Sequence, residues 1–111
     1  YQDGAKPKGA RFTAYGSSDN PRGQAMARRF VNPQTLASTA RFAEIAKECG
    51  LSVTTFATAW TLTHDFVGST IIGATTVEQL ADTLAAADAK IPAEALKKVN
   101  EVSREIRYPM G

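Results

Sequence analysis

Cysteine and histidine are almost absent: Cys49 is the single thiol and His64 the single imidazole among 111 residues. One thiol cannot close an internal disulfide, and one Cys with one His falls short of the donor set of a structural zinc site. No metal site is expected. Long apolar runs are missing too, since none approaches the roughly 20 residues that cross a bilayer, and the chain opens on no charged and then apolar leader. The expectation is a chain with no membrane span, in a reducing, cytoplasmic setting. Positive charge is missing where it matters most. "AKECGLSVTTFATAW", Ala46 to Trp60, has the outline of a DNA-binding helix-turn-helix, yet between Ser52 and Thr63 the polar side chains are all Ser or Thr. A recognition helix needs Arg, Lys, Asn or Gln to reach base edges and phosphates. No specific nucleic acid is therefore expected as a partner, and a pair of helices packed against other protein accounts better for the stretch.

Strands are scarce as well. "VGSTII", residues 67–72, is the one convincing candidate, short and β-branched between Asp65 and Gly73. A lone buried strand leaves its N–H and C=O groups unpaired, which implies that the chain is part of something larger.

What is present reads mainly as helix. The composition, 43% hydrophobic and 22% charged, is that of a globular chain with room for one core. Asn32-Pro33 opens a helix that Gly50 closes, with Phe42, Ile45, Ala46 and Cys49 on one face. That spacing makes Cys49 a core thiol. Ser52 caps a second helix with Val53, Phe56, Ala57 and Trp60 in line, which makes Trp60 a packing residue. In "GATTVEQLADTLAA", Thr76 and Gln79 form a capping box ahead of a Val77, Leu80, Ala81 and Leu84 stripe. A last helix runs from near Pro92 to about Ile106 with Ala95, Val99, Val102 and Ile106 aligned. Residues 1–31 carry six basic and two acidic side chains, a net of +4 inside an overall +2. Their Gly, Pro, Ser and Asn content predicts a long exposed loop, with at most a short helix at Gln24–Phe30. Such a loop is either functional or a solvated leader.

The strand-to-helix junction "STIIGATTVEQL" carries the chemistry. A strand ending in Gly, followed by small hydroxylated residues and a capped helix start, offers an anion free N–H groups and a favourable dipole. An ordinary capped helix after a strand has the same sequence, so both readings stand on these residues alone.

The segments taken in order resemble the C-terminal third of an aldo-keto reductase, nearest its Tas-like and potassium-channel-β-subunit-like branches. "YQDGAKPKGARF" is similar to the loop after barrel strand 7, "GLSVTTFATAW" to a barrel helix, "STIIGATTVEQLADTL" to strand 8 with its cofactor motif, and "REIRYPMG" to the tail. The resemblance implies an α/β fold, the C-terminal portion of a (β/α)8 TIM barrel, predominantly helical with one barrel strand. The parts would be the strand 7 loop at 1–31, helices at 32–66, strand 8 at 67–72, the cofactor junction and helix at 73–87, and the C-terminal helix at 91–107. It also implies an NADP(H) cofactor and a small carbonyl substrate, an aldehyde or ketone reduced to an alcohol. On this resemblance Gly73, Thr75 and Gln79 would line the adenosine 2′-phosphate end, Asp82 and Thr83 would lie beside the adenine, and Arg11 would close on the phosphates. Asp82-Thr83 departs from the family's usual Glu-Asn, and the junction lacks the Lys or Arg many relatives place on the 2′-phosphate. No segment matches the family's catalytic Asp, Tyr, Lys and His, so no catalytic residue is assigned, and His64, Tyr1, Tyr15 and Tyr108 are not given those roles. The function classes left by the residues are a reductase segment, a helical nucleic-acid-binding domain, and a scaffold that binds cofactor without turnover. Self-association is expected for a chain whose strand has no partner.

Overall fold

The computed structural model describes all residues, Tyr1–Gly111, and consists of six α-helices and two 3-10 turns. The helices are α1 (Arg11–Gly16), α2 (Pro21–Phe30), α3 (Pro33–Glu48), α4 (Val53–Thr61), α5 (Val77–Leu84) and α6 (Ala93–Glu105). The 3-10 turns are Gln2–Gly4 and Ala85–Ala87. The chain divides into two units, residues 1–41 with 102–111, and residues 42–101.

In the first unit the expected long loop is instead a helix pair. Asn20 accepts the N–H of Arg22 at 3.0 Å and Pro21 takes the first helical position, so α2 starts earlier than composition predicts. Helix α1 packs against it closely enough that a Cβ on Gly23 would stand 3.6 Å from the Tyr15 carbonyl oxygen. Phe12 gathers the aromatic residues, stacked on Phe30 at 5.1 Å and tilted against Tyr1 at 6.0 Å. The Tyr1 hydroxyl accepts the Phe12 N–H at 3.0 Å. Asn32 starts α3 as expected, taking the N–H groups of Gln34 and Thr35 at 2.9 and 3.0 Å.

The second unit explains the turn at Gly50. Its N–H reaches the Lys47 carbonyl at 2.9 Å while that of Leu51 reaches Ala46 at 3.0 Å, which is a Schellman closure with Gly50 at φ +70. Ser52 then caps α4 through the Thr55 N–H at 3.1 Å. The face that α4 buries is Thr55, Phe56 and Ala59, not the expected Val53, Phe56, Ala57 and Trp60 line, and Val53 is 41% exposed. The rotation has a physical reason. Thr55 donates its hydroxyl to the Asp82 carbonyl at 2.8 Å, so a polar side chain sits inside with its hydrogen bond satisfied. On α6, Ala95, Val99 and Val102 are buried and Ile106 is half-buried, as the spacing predicts. Cys49 is half-buried rather than a full core thiol.

Two further expectations are corrected. Residues 67–72 form no strand. The chain supplies no second strand to pair with them, and they hydrogen-bond instead through the Val67 N–H to the His64 carbonyl at 3.0 Å and between the hydroxyls of Thr61 and Thr70 at 2.6 Å. The α5 stripe of Val77, Leu80, Ala81 and Leu84 is exposed throughout. Size is distributed against the usual order: alanines supply five of the nine buried apolar residues, while Phe66, Ile71 and Val77 are 80%, 98% and 78% exposed. The core is therefore thin, and the largest apolar side chains of the second unit find no cover within it.

Candidate functional site

The second unit places five of the six expected site residues on one short path, from Gly73 through the first two turns of α5. Thr76 is extended at φ −136 and caps α5 by accepting the Gln79 N–H, at a long 3.4 Å. The reciprocal arm of the expected box lands one residue away. Gln79 Oε1 accepts from Thr75, from its N–H at 3.1 Å and its hydroxyl at 3.0 Å. Thr75 and Gln79 are thus brought into direct contact. The Thr83 hydroxyl donates to the Gln79 carbonyl at 2.9 Å, which sets it one helical turn behind Gln79. Asp82 leaves its carboxylate exposed while its carbonyl is held by Thr55. Thr55 is the residue that sequence reasoning missed. Its signal was a threonine three residues after the Ser52 cap, outside the apolar line of Val53, Phe56, Ala57 and Trp60.

Gly73 has neither a left-handed backbone nor a crowded neighbourhood, and a Cβ built on it would meet no atom within 4 Å. Nothing inside the chain requires glycine there. The junction also carries, besides Asp82, the negative charge of Glu78, whose own backbone N–H and the Thr76 hydroxyl hold its carboxyl below the usual range. That carboxylate is fully exposed at the positive end of α5. Arg11 belongs to the first unit and is not part of this group. It is exposed, and it is the first residue of α1.

This arrangement offers hydroxyls, amides and open backbone at a helix start, and little else that could react.

The sequence profile of the Aldo/keto reductase family matches residues 4–104. The chain belongs to that family. It is 30% identical over 109 residues, 98% of its length, to protein tas of Escherichia coli, of which it covers 29%. Over 97% of its length it is 31% identical to the putative voltage-gated potassium channel subunit beta of Schizosaccharomyces pombe, covering 32% of that protein. A 62-residue stretch, 56% of the chain, is 36% identical to the uncharacterized oxidoreductase YrpG of Bacillus subtilis and covers 19% of it. The chain therefore spans less than a third of the length of these relatives. No helix is long and apolar enough to cross a membrane.

Proposed function

We propose that this chain forms the cofactor-binding C-terminal part of a cytoplasmic, NADP(H)-dependent aldo-keto reductase that reduces aldehydes or ketones to alcohols. In this reading residues 67–72 supply the eighth strand of a (β/α)8 barrel, and the rest of the barrel covers Phe66, Ile71 and Val77. The observation that carries the reading is the junction, where Gly73 is open to close approach and Thr75 and Gln79 present their polar groups at the start of a capped helix. These residues fit the adenosine end of a dinucleotide. Thr75 would donate to the 2′-phosphate, the Gln79 amide would turn from Thr75 to the ligand, and Asp82 and Thr83 would lie beside the adenine. The bound nicotinamide supplies hydride, and this chain's residues hold the cofactor in place. Arg11 would close on the phosphates from the first unit. As the first residue of a helix it stands where the dipole disfavours a cation by roughly 0.3 to 1 kcal/mol, and a bound phosphate offsets that cost.

The test is an NADPH and NADH titration of intrinsic fluorescence in the longer protein that carries this chain. Charge-assisted hydrogen bonds are worth roughly 1.5 to 3 kcal/mol, so Arg11→Ala is expected to weaken NADPH binding about tenfold or more while changing the chemical step much less. Gln79→Ala should weaken it as well. Unchanged dissociation constants in both variants would remove the cofactor site from these residues. The 31% identity to a putative channel subunit beta supports a second reading, a scaffold that binds the same cofactor without turnover. Cofactor binding with no carbonyl reduction by the longer protein would select it.

A further inference from the structure

Charge is segregated between the two units far more strongly than along the sequence. The first unit carries nine basic side chains against three acidic, a net of +6, and the second carries four against eight, a net of −4. The first unit's field has a concave focus away from the residues assigned to the cofactor. An open cleft of about 480 Å³, where the end of α6 meets the start of α3, is lined by Gln34, Ala37, Arg104, Ile106 and Arg107. That volume lies in the usual range for small-ligand sites, roughly 300 to 1,000 Å³.

The donors of this cleft are side chains. The first N–H groups of α3, those of Gln34 and Thr35, already donate to Asn32 Oδ1. Arg107 is set in place by its own Nε, which donates to the Arg104 carbonyl at 3.2 Å and leaves its two terminal amino groups unengaged. Arg104 enters none of the three ion pairs of the chain. Glu105 is the one acid on the cleft, and its carboxylate is bound by Arg41. With that pair neutral, Arg104 and Arg107 leave the cleft at +2, next to the apolar surface of Ala37 and the half-buried Ile106.

We propose that this cleft binds a small organic phosphate, its phosphoryl group held by Arg104 and Arg107 and its apolar body on Ile106 and Ala37. Two positive charges match a dianionic phosphoryl group, whereas a carboxylate would leave one guanidinium unpaired. Arginine suits this role because its planar fork presents paired donors to phosphate oxygens. The cleft has room beyond a bare phosphate, and Ala37 and Ile106 offer an attached group apolar surface. None of Arg11, Gly73, Thr75, Gln79, Asp82 or Thr83 lines the cleft, so the inference stands apart from the cofactor reading.

The experiment is a calorimetric titration of the longer protein that carries this chain with phenyl phosphate, benzoate and inorganic phosphate at low and moderate salt, with circular dichroism recorded for every variant. Phenyl phosphate is expected to bind more tightly than either of the others, and more weakly as salt rises. The double variant Arg104→Ala/Arg107→Ala should lose at least about tenfold in affinity, the double lysine variant should lose less because it keeps the charge, and Gln79→Ala should lose nothing. Both arginines are exposed, so these variants retain the fold. Equal affinity for benzoate, undiminished binding by the alanine variant, or no binding of phenyl phosphate would each overturn the proposal. A loss confined to Gln79→Ala would overturn it too, by moving the phosphate to the α5 junction.

Discussion

Gln79 holds Thr75 twice, through the N–H at 3.1 Å and the hydroxyl at 3.0 Å, while its own N–H goes to Thr76. The two adjacent threonines are therefore tied to α5 by different atoms of one glutamine. Thr76→Ala removes the cap and is expected to destabilise the chain by about 0.5 to 1 kcal/mol, the lower part of the range for lost N-caps, because the 3.4 Å bond is long. Thr76→Ser should retain most of it. Urea denaturation followed by circular dichroism reads the difference, and equal midpoints for the alanine variant and the parent would show that the cap is idle.

The Arg41 guanidinium, by hydrogen bond and by charge, holds the Glu105 carboxyl below the usual carboxylate range. A depressed folded pKa contributes stability above the ordinary glutamate range, and that contribution is lost as the pH falls through the lower folded value. Both partners are largely exposed, at 43% and 61%, so salt should shrink the effect. Glu105→Gln is expected to flatten the acid limb of a stability profile, most clearly at low ionic strength. A parallel acid limb in the variant would assign the loss to other carboxylates. Lys98 has the opposite sign: the hydrogen bond to Glu48 at 2.5 Å raises its pKa, so its contribution is complete below the ordinary lysine range and disappears as pH rises through the raised value.

Ile71 is 98% exposed, in a stretch from Phe66 to Val77 that carries neither charge nor proline. Uncharged β-branched segments with unpaired backbone associate with one another. Ile71→Lys is expected to change the stability of the monomer by no more than about 0.5 kcal/mol while clearly reducing self-association in sedimentation velocity. Identical concentration dependence in the two proteins would clear this segment of any part in association.

Carbonyl reduction requires a proton donor as well as hydride, and no residue of this chain is placed in that role. Loss of general-acid catalysis costs a factor of about 10² to 10⁴. The 111-residue chain with NADPH and 4-nitrobenzaldehyde should therefore leave the NADPH absorbance unchanged over times in which the longer protein consumes it. Matching rates would place a complete reductase site within these residues.

Local signals in the sequence were legible wherever a helix is decided by its own neighbours. Asn32-Pro33, Ser52 and Thr76 each start a helix by satisfying N–H groups within three residues, and Gly50 ends one by adopting a positive φ. The same signal at Asn20-Pro21 was outweighed by the polar, Gly-containing composition around it, and α2 was expected only in part. Periodicity also succeeded on α6, whose alternative faces are plainly charged.

What failed has a common cause. The 67–72 segment, the face of α4 and the stripe of α5 each depend on what lies opposite, and hydrophobic spacing states only that some partner exists. A strand needs another strand's N–H and C=O groups, and the chain holds none, so residues 67–72 form no ladder here. The orientation of α4 was decided by one hydrogen bond over 27 residues, from Thr55 to the Asp82 carbonyl, which no local pattern encodes. The sequence by itself determined the starts of α3, α4 and α5, the stop at Gly50, the family and the residue types at the α5 junction, because those rest on neighbours along the chain. The tertiary structure alone decided which faces are buried, the contact between Thr75 and Gln79, and the meeting of Arg104 and Arg107 with the start of α3, because such contacts depend on how the backbone returns to itself.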